Sequence, residues 1–92
     1  MRDLEGIMET KVALIGIIVS RPDSVEQLNA ILHQYASYII GRMGIPYKEA
    51  GVSLISVALD APQDVISALS GKLGALEGVS AKTVAPKIAG RD

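Results

Sequence analysis

Arg42 stands out chemically because its guanidinium lies between two glycines in an otherwise apolar segment. An arginine side chain can hold a carboxylate or a phosphate through two parallel hydrogen bonds. Glycine within a strand lets a ligand or another backbone approach closely, and two tyrosines flank the segment. We predict ligand-binding roles for Tyr38, Arg42, Gly44 and Tyr47. The same pattern is equally typical of a bulged strand with an arginine at its surface.

His33 is the only histidine of the sequence. A transition-metal site normally needs several nitrogen, oxygen or sulfur ligands, and one chain supplies one imidazole. Metal binding would therefore need His33 from several subunits, or Glu26 from a neighbouring subunit. A lone histidine is more often a partly exposed polar residue. We predict His33 as a ligand-binding residue, with metal coordination as the alternative.

Gly71 and Lys72 resemble part of a phosphate-binding loop. Such a loop follows a strand and places Ser or Thr directly after the lysine, whereas here the pair lies inside a predicted helix and Leu73 follows. Nucleotide hydrolysis is therefore not expected, although Gly71 and Lys72 remain candidates for ligand contact. With no recognisable Ser-His-Asp spacing in the sequence, we predict that the protein is not an enzyme.

The bulk composition excludes several classes of protein. Nine basic and ten acidic residues give a net charge of −1 without a run of like charge, so direct nucleic-acid binding is not expected. The absence of cysteine excludes disulfides and thiolate metal sites. The apolar run at residues 12–19 is too short to span a bilayer, and acidic residues precede it, unlike in a signal peptide. We predict a cytoplasmic protein without a membrane partner.

The first half of the chain predicts a strand, a helix and a second strand. β-Branched residues fill positions 11–20, with apolar side chains on both faces of the predicted strand. Asp23 and Ser24 begin two overlapping capping boxes, and apolar residues then recur at helical spacing to about Tyr38. Residues 39–46 follow as a strand that is loosened by its glycines.

The second half repeats this order. Residues 52–59 predict a third strand that is also apolar on both faces. Pro62 predicts the first turn of a helix with Asp60 as its cap, and Glu77 with Gly78 predicts its end. The more polar residues 79–86 predict a fourth strand at a sheet edge.

The element order βαββαβ predicts an α+β domain with the ferredoxin-like fold, in which two helices cover one face of a four-stranded antiparallel sheet. We place this domain at residues 9–87, after a loose extension at residues 1–8 and before a tail at residues 88–92. The other sheet face would expose the second apolar sides of the first and third strands. We therefore expect a homodimer or homotetramer formed through that face.

Four segments of the chain resemble one known family. They read LHQY at residues 32–35, YIIGRMGIPY at 38–47, DVISALSGKLG at 64–74 and GVSAKTV at 78–84. Over about residues 9–86 the chain is similar to regulators of the iron-only hydrogenase system. This family is ACT-like and resembles the C-terminal sensing domain of nickel-responsive repressors. The resemblance implies a non-catalytic regulatory module, linked to transcription, that acts by ligand sensing or by association with another regulatory or maturation protein.

The chain departs from the nickel-responsive domain at the metal site. That relative binds nickel through a His-x-His pair on its second strand and a nearby cysteine, whereas this chain has Arg42, Met43 and Gly44 there and no cysteine. We therefore expect no cofactor at this site, and the alternative function is a metal-binding accessory protein that uses His33 from several subunits. We also expect no room for the DNA-binding domain of the repressors, so any control of transcription would pass through another protein.

Overall fold

The structure is a computed structural model that describes residues 9–86. Its elements follow the predicted order: β1 (Lys11–Val19), α1 (Ser24–Gln34), β2 (Ile39–Tyr47), β3 (Val52–Ala61), α2 (Gln63–Gly74) and β4 (Val79–Val84). Antiparallel pairing joins the strands into one sheet in the order β2-β3-β1-β4. The predicted fold class is therefore confirmed. The predicted extension and tail, residues 1–8 and 88–92, lie outside the described residues.

The core lies between the sheet and the two helices. Every second residue is buried from Ala13 to Val19 in β1 and from Ile55 to Ala61 in β3, because side chains alternate between the faces of a strand. The sequence has no Phe and no Trp, so aliphatic side chains fill the core. The main contributions from the helices are Leu28, Leu32, Ile66, Leu69 and Leu73.

The sheet face that points away from the helices is here called the open face. On β1 it carries Val12, Leu14 and Ile18, whose side chains are 50%, 49% and 48% exposed. On β3 it carries Leu54, which is 37% exposed. The prediction that both strands are apolar on their second faces is therefore confirmed.

The two edges of the sheet are formed by β2 and β4. The predicted edge position of β4 is confirmed. β2 extends beyond the cover of the helices, since Ile39 is partly buried and the rest of the strand is exposed. Both faces of β2 therefore contact solvent, and one of them borders α1.

The structure corrects the predicted ends of α1. Neither capping box forms: Asp23 makes no side-chain cap hydrogen bond, and the Ser24 hydroxyl instead donates to the backbone carbonyl of Glu77 at 2.6 Å. This partner is distant in sequence, so the local pattern does not reveal it. The helix ends at Gln34, and a short 3-10 turn at Ala36–Tyr38 follows, as is frequent at helix C-termini.

The structure also corrects the predicted ends of α2. β3 continues through Ala61, so Asp60 is a strand residue, and the N-cap residue is Pro62 without a side-chain cap. The helix ends at Gly74 rather than at Glu77. Glycine has a low helix propensity, and two glycines in the last turn favour this early end.

Gly78 forms the turn between α2 and β4, with a left-handed φ of 72°. Its carbonyl accepts hydrogen bonds from the backbone N–H of Ser20 at 2.8 Å and from the Ser20 hydroxyl at 3.1 Å. The Arg21 guanidinium lies 3.4 Å from the Glu77 carboxylate. A Cβ at position 78 would overlap the Arg21 side chain. The turn therefore requires glycine for both its backbone conformation and its packing.

Gly78→Ala is expected to lower the free energy of unfolding by about 1–3 kcal/mol, because a residue with Cβ is strained at this φ. Gly71→Ala is the matched control. A Cβ at position 71 meets nothing within 4 Å, so this helix substitution should raise the free energy of unfolding by about 1 kcal/mol. Urea unfolding measures both values. A Gly78→Ala variant as stable as the parent would contradict the described turn.

Candidate functional site

Arg42 lies on the side of β2 that faces the helices. In the β2–β3 register it pairs with Val57, and Val57 is fully buried beneath the helices. Paired residues of neighbouring strands project from the same face of a sheet. The guanidinium therefore extends beside α1, whereas the next residue, Met43, projects to the open face.

A β-bulge places Ile39 on the same side of β2 as Arg42. Side chains alternate along a regular strand, so residues three apart would lie on opposite faces. The pairing shifts between Ile39 and Gly41, which leaves Ile40 as an extra residue. Ile39 and Arg42 consequently line one cleft. The bulge and the exposed arginine both match the structural alternative that the glycine-flanked segment predicted.

The cleft lies between α1 and β2 and has a volume of about 270 Å³. Its lining consists of Asn29, Leu32, His33, Ala36, Ile39 and Arg42. Leu32 is buried, whereas Asn29, His33 and Arg42 are exposed. The fold thus brings His33 and Arg42 together. Asn29 was not predicted, although its spacing of four residues from His33 places both on one side of α1.

Tyr38 and Lys72 lie in an aromatic cluster outside the cleft lining. The ring centres of Tyr35 and Tyr38 are 6.4 Å apart, and the Lys72 ammonium lies 5.1 Å from the centre of the Tyr35 ring. An ammonium at this distance from a ring forms a cation–π interaction. Both tyrosines also pack against the core, which gives the cluster a structural role. Gly71, next to Lys72, borders open space.

Gly44 and Tyr47 lie farther along β2. A Cβ at position 44 would meet the Ile55 side chain at 3.9 Å, an ordinary contact, so packing does not require glycine there. Tyr47 borders a separate hollow of about 280 Å³ together with Pro46 and Lys48. The predicted site residues therefore divide among the cleft, the aromatic cluster and the last part of β2.

Metal coordination by a single chain receives no support from residues 9–86, which contain no group of three or more His, Asp or Glu side chains that could hold an ion. His33 shares its cleft with Arg42. The positive charge of the guanidinium would repel a metal ion bound to the imidazole. A metal site that combines His33 from several subunits stays a prediction.

Two apolar grooves cross the open face. One has a volume of about 410 Å³, and its lining includes Gly16, Ile18, Met43, Ile45 and Leu54. A Cβ at Gly16 would meet nothing within 4 Å, so the missing side chain leaves a hollow. The other groove, of about 480 Å³, is bordered by Val12, Leu14, Ile40, Ala58 and Val84. Gly16 was not predicted, although a single glycine within an apolar strand signals close approach of another group.

Comparisons with known proteins identify the family of this chain. A family model named TM1266-like, described as "Iron-only hydrogenase system regulator, putative", matches residues 11–83. The solved structure of the uncharacterized protein TM1266 from Thermotoga maritima is 38% identical, with a TM-score of 0.82, and the match covers 86% of this chain and 100% of that chain. No curated protein matches. The resemblance carried by the four sequence segments is confirmed, and the chain belongs to the TM1266-like family of iron-only hydrogenase system regulators.

Proposed function

We propose that this protein is a non-catalytic regulatory module of the iron-only hydrogenase system and that it acts by protein association through the open face. The family supports the link to hydrogenase regulation. The observation that carries the mode of action is the exposure of large apolar side chains on one side of the sheet. These are Val12, Leu14, Ile18, Ile40, Met43, Ile45, Leu54 and Val84.

The open face is large enough to serve as an interface. Neighbouring strands lie about 4.8 Å apart and rise about 3.3 Å per residue, so the four strands span about 500 Å². Most side chains on this area are apolar, although Asp60 and Lys82 also lie on it, and the largest apolar patch of a typical monomer covers about 300–600 Å². Two such faces would bury about 1,000 Å² in total, near the lower limit for a specific interface. Covering the open face would therefore remove substantial apolar surface from water.

A second copy of the chain is the occupant that we propose. Asp60 and Lys82 fall on the open face by their register, and their opposite charges give this face little net charge, so two copies do not repel. Leu14 lies two residues before the hollow at Gly16. A two-fold axis that crosses β1 between these residues would place Leu14 of each copy over Gly16 of the other. A homodimer has this symmetry, and in a homotetramer of D2 symmetry the same interface would occur twice.

The regulatory signal would then pass to another protein. The net charge of −1 and the lack of a basic run offer no electrostatic surface for nucleic acid. Any effect on transcription would therefore require a further regulatory or maturation protein that binds the assembly. A cytoplasmic location fits such a partner. Among residues 9–86, the helices include none with the length and apolar character needed to cross a membrane.

Self-association is tested by sedimentation velocity over a range of concentrations. We expect a dimer or tetramer at micromolar concentration, because the exposed apolar side chains of the open face would become buried. A chain that stays monomeric up to about 100 μM would contradict a second copy as the occupant.

The regulatory role is tested by deleting the gene in a native host that makes an iron-only hydrogenase. Deletion should change hydrogenase activity per cell, and the wild-type gene should restore it. Leu14→Asp, which disrupts the open face, should fail to restore it. Unchanged activity after deletion would contradict the regulatory role, whereas full rescue by Leu14→Asp would contradict the need for the open face.

A further inference from the structure

The cleft between α1 and β2 lies on the helix side of the sheet, opposite the open face. We propose that this cleft binds a small carboxylate-bearing molecule, with Arg42 holding the carboxylate and with Asn29 and His33 beside it. This would give the regulatory module a ligand input. The inference does not depend on self-association, because the cleft is formed within one chain.

The charge of the cleft favours an anion. The ion pairs within residues 9–86 join Arg21 to Asp23 and to Glu77, and none includes Arg42. No acidic residue lines the cleft. Glu26 is one turn before Asn29 on α1, but it is not among the lining residues. The guanidinium therefore lacks a counter-charge in the described chain, and an anionic ligand would supply one.

The polar groups favour a carboxylate in particular. A guanidinium is planar and donates two parallel hydrogen bonds that match the two oxygens of a carboxylate. The Asn29 amide and the His33 imidazole add N–H donors at the same cleft. The remaining lining residues, Leu32, Ala36 and Ile39, are apolar. A ligand with a carboxylate at one end and a short apolar body would match both the polar and the apolar lining of the cleft.

The size of the cleft suits a small molecule. A volume of about 270 Å³ lies just below the range of about 300–1,000 Å³ that is typical of ligand pockets. A short-chain acid has a suitable size for this cleft, so butyrate is the probe.

Titration of butyrate into the full chain, followed by amide NMR signals, tests the proposal. We expect saturable shifts at Asn29, His33 and Arg42. Butyramide has the same shape without the charge and should bind at least about tenfold more weakly. Arg42→Gln should weaken butyrate binding at least about tenfold. Arg42→Lys should weaken it less, because lysine keeps the positive charge but cannot donate the two parallel hydrogen bonds of a guanidinium. Lys48→Gln removes an exposed cation outside the cleft lining and should bind like the wild type.

Three results would overturn the proposal: equal binding of butyrate and butyramide, wild-type binding by Arg42→Gln, or shifts confined to residues outside the cleft. Arg42 is exposed, so its substitution should leave the fold intact, and an otherwise unchanged amide spectrum verifies this. Inorganic phosphate forms a separate arm of the experiment. Tighter binding of phosphate than of butyrate, with the same dependence on Arg42, would overturn the assignment to carboxylates.

Discussion

Replacing Leu14 with aspartate is expected to leave the chain folded and to weaken self-association at least about 100-fold. Leu14 is 49% exposed in the single chain, so the new carboxylate remains in water in the monomer. In an assembly that covers the open face, the same carboxylate would be buried without a partner, which costs several kcal/mol. Each copy contributes this cost, and about 1.4 kcal/mol corresponds to a tenfold change in affinity. Sedimentation velocity over a concentration series measures the shift.

Two further variants sharpen this test. Gln27→Glu adds one negative charge to the exposed surface of α1 and should assemble like the wild type. Gly16→Ala places a Cβ in the hollow of the open face that meets nothing within 4 Å inside the chain, and it should weaken association because it takes up part of the space for Leu14 of the other copy. Assembly of Leu14→Asp at wild-type concentrations would show that the open face is not the interface.

Leu69→Ala is expected to lower the free energy of unfolding by about 2–5 kcal/mol. Leu69 lies on α2 and is fully buried. Its truncation removes apolar contacts and leaves a cavity that surrounding side chains fill only in part. Small domains have total stabilities of about 5–15 kcal/mol, so this loss is a large fraction. Urea unfolding in the Leu14→Asp background measures it without a contribution from assembly.

Leu54→Ala provides the matched control, because it makes the same chemical change on the opposite side of the sheet. Leu54 is 37% exposed in the single chain, so the expected loss is below about 1 kcal/mol in the same background. Equal losses for the two variants would mean that both faces are equally packed in the monomer. That outcome would contradict the location of the core on the helix side alone.

The sequence predicts the order of elements and the two apolar faces of β1 and β3 because both depend on short-range periodicity. The polar character of β4 likewise predicts its edge position. His33 and Arg42 were predicted separately from their chemistry, yet nothing in either segment shows that they share a cleft. Their proximity depends on how β2 pairs with β3 and how α1 packs beside it.

The sequence misplaced the helix ends and did not locate the bulge within β2, for related physical reasons. Ser24 has the chemistry of a capping residue, but its hydroxyl bonds to the carbonyl of Glu77, which only the folded chain brings near. The register of a strand is decided by its partner and by burial, so the extra residue at Ile40 is visible only once β2 lies against β3. Local patterns therefore predict elements better than they predict contacts between elements.

The bulge in β2 also hinders the addition of strands from other chains to this edge of the sheet. An exposed edge strand presents unpaired N–H and C=O groups to which a strand of another chain can add. The extra residue at Ile40 interrupts this row and increases the local twist. Removing it would restore a regular edge and would still leave Ile39 and Arg42 on the same side. The extra residue at Ile40 therefore discourages edge-to-edge polymerisation along β2.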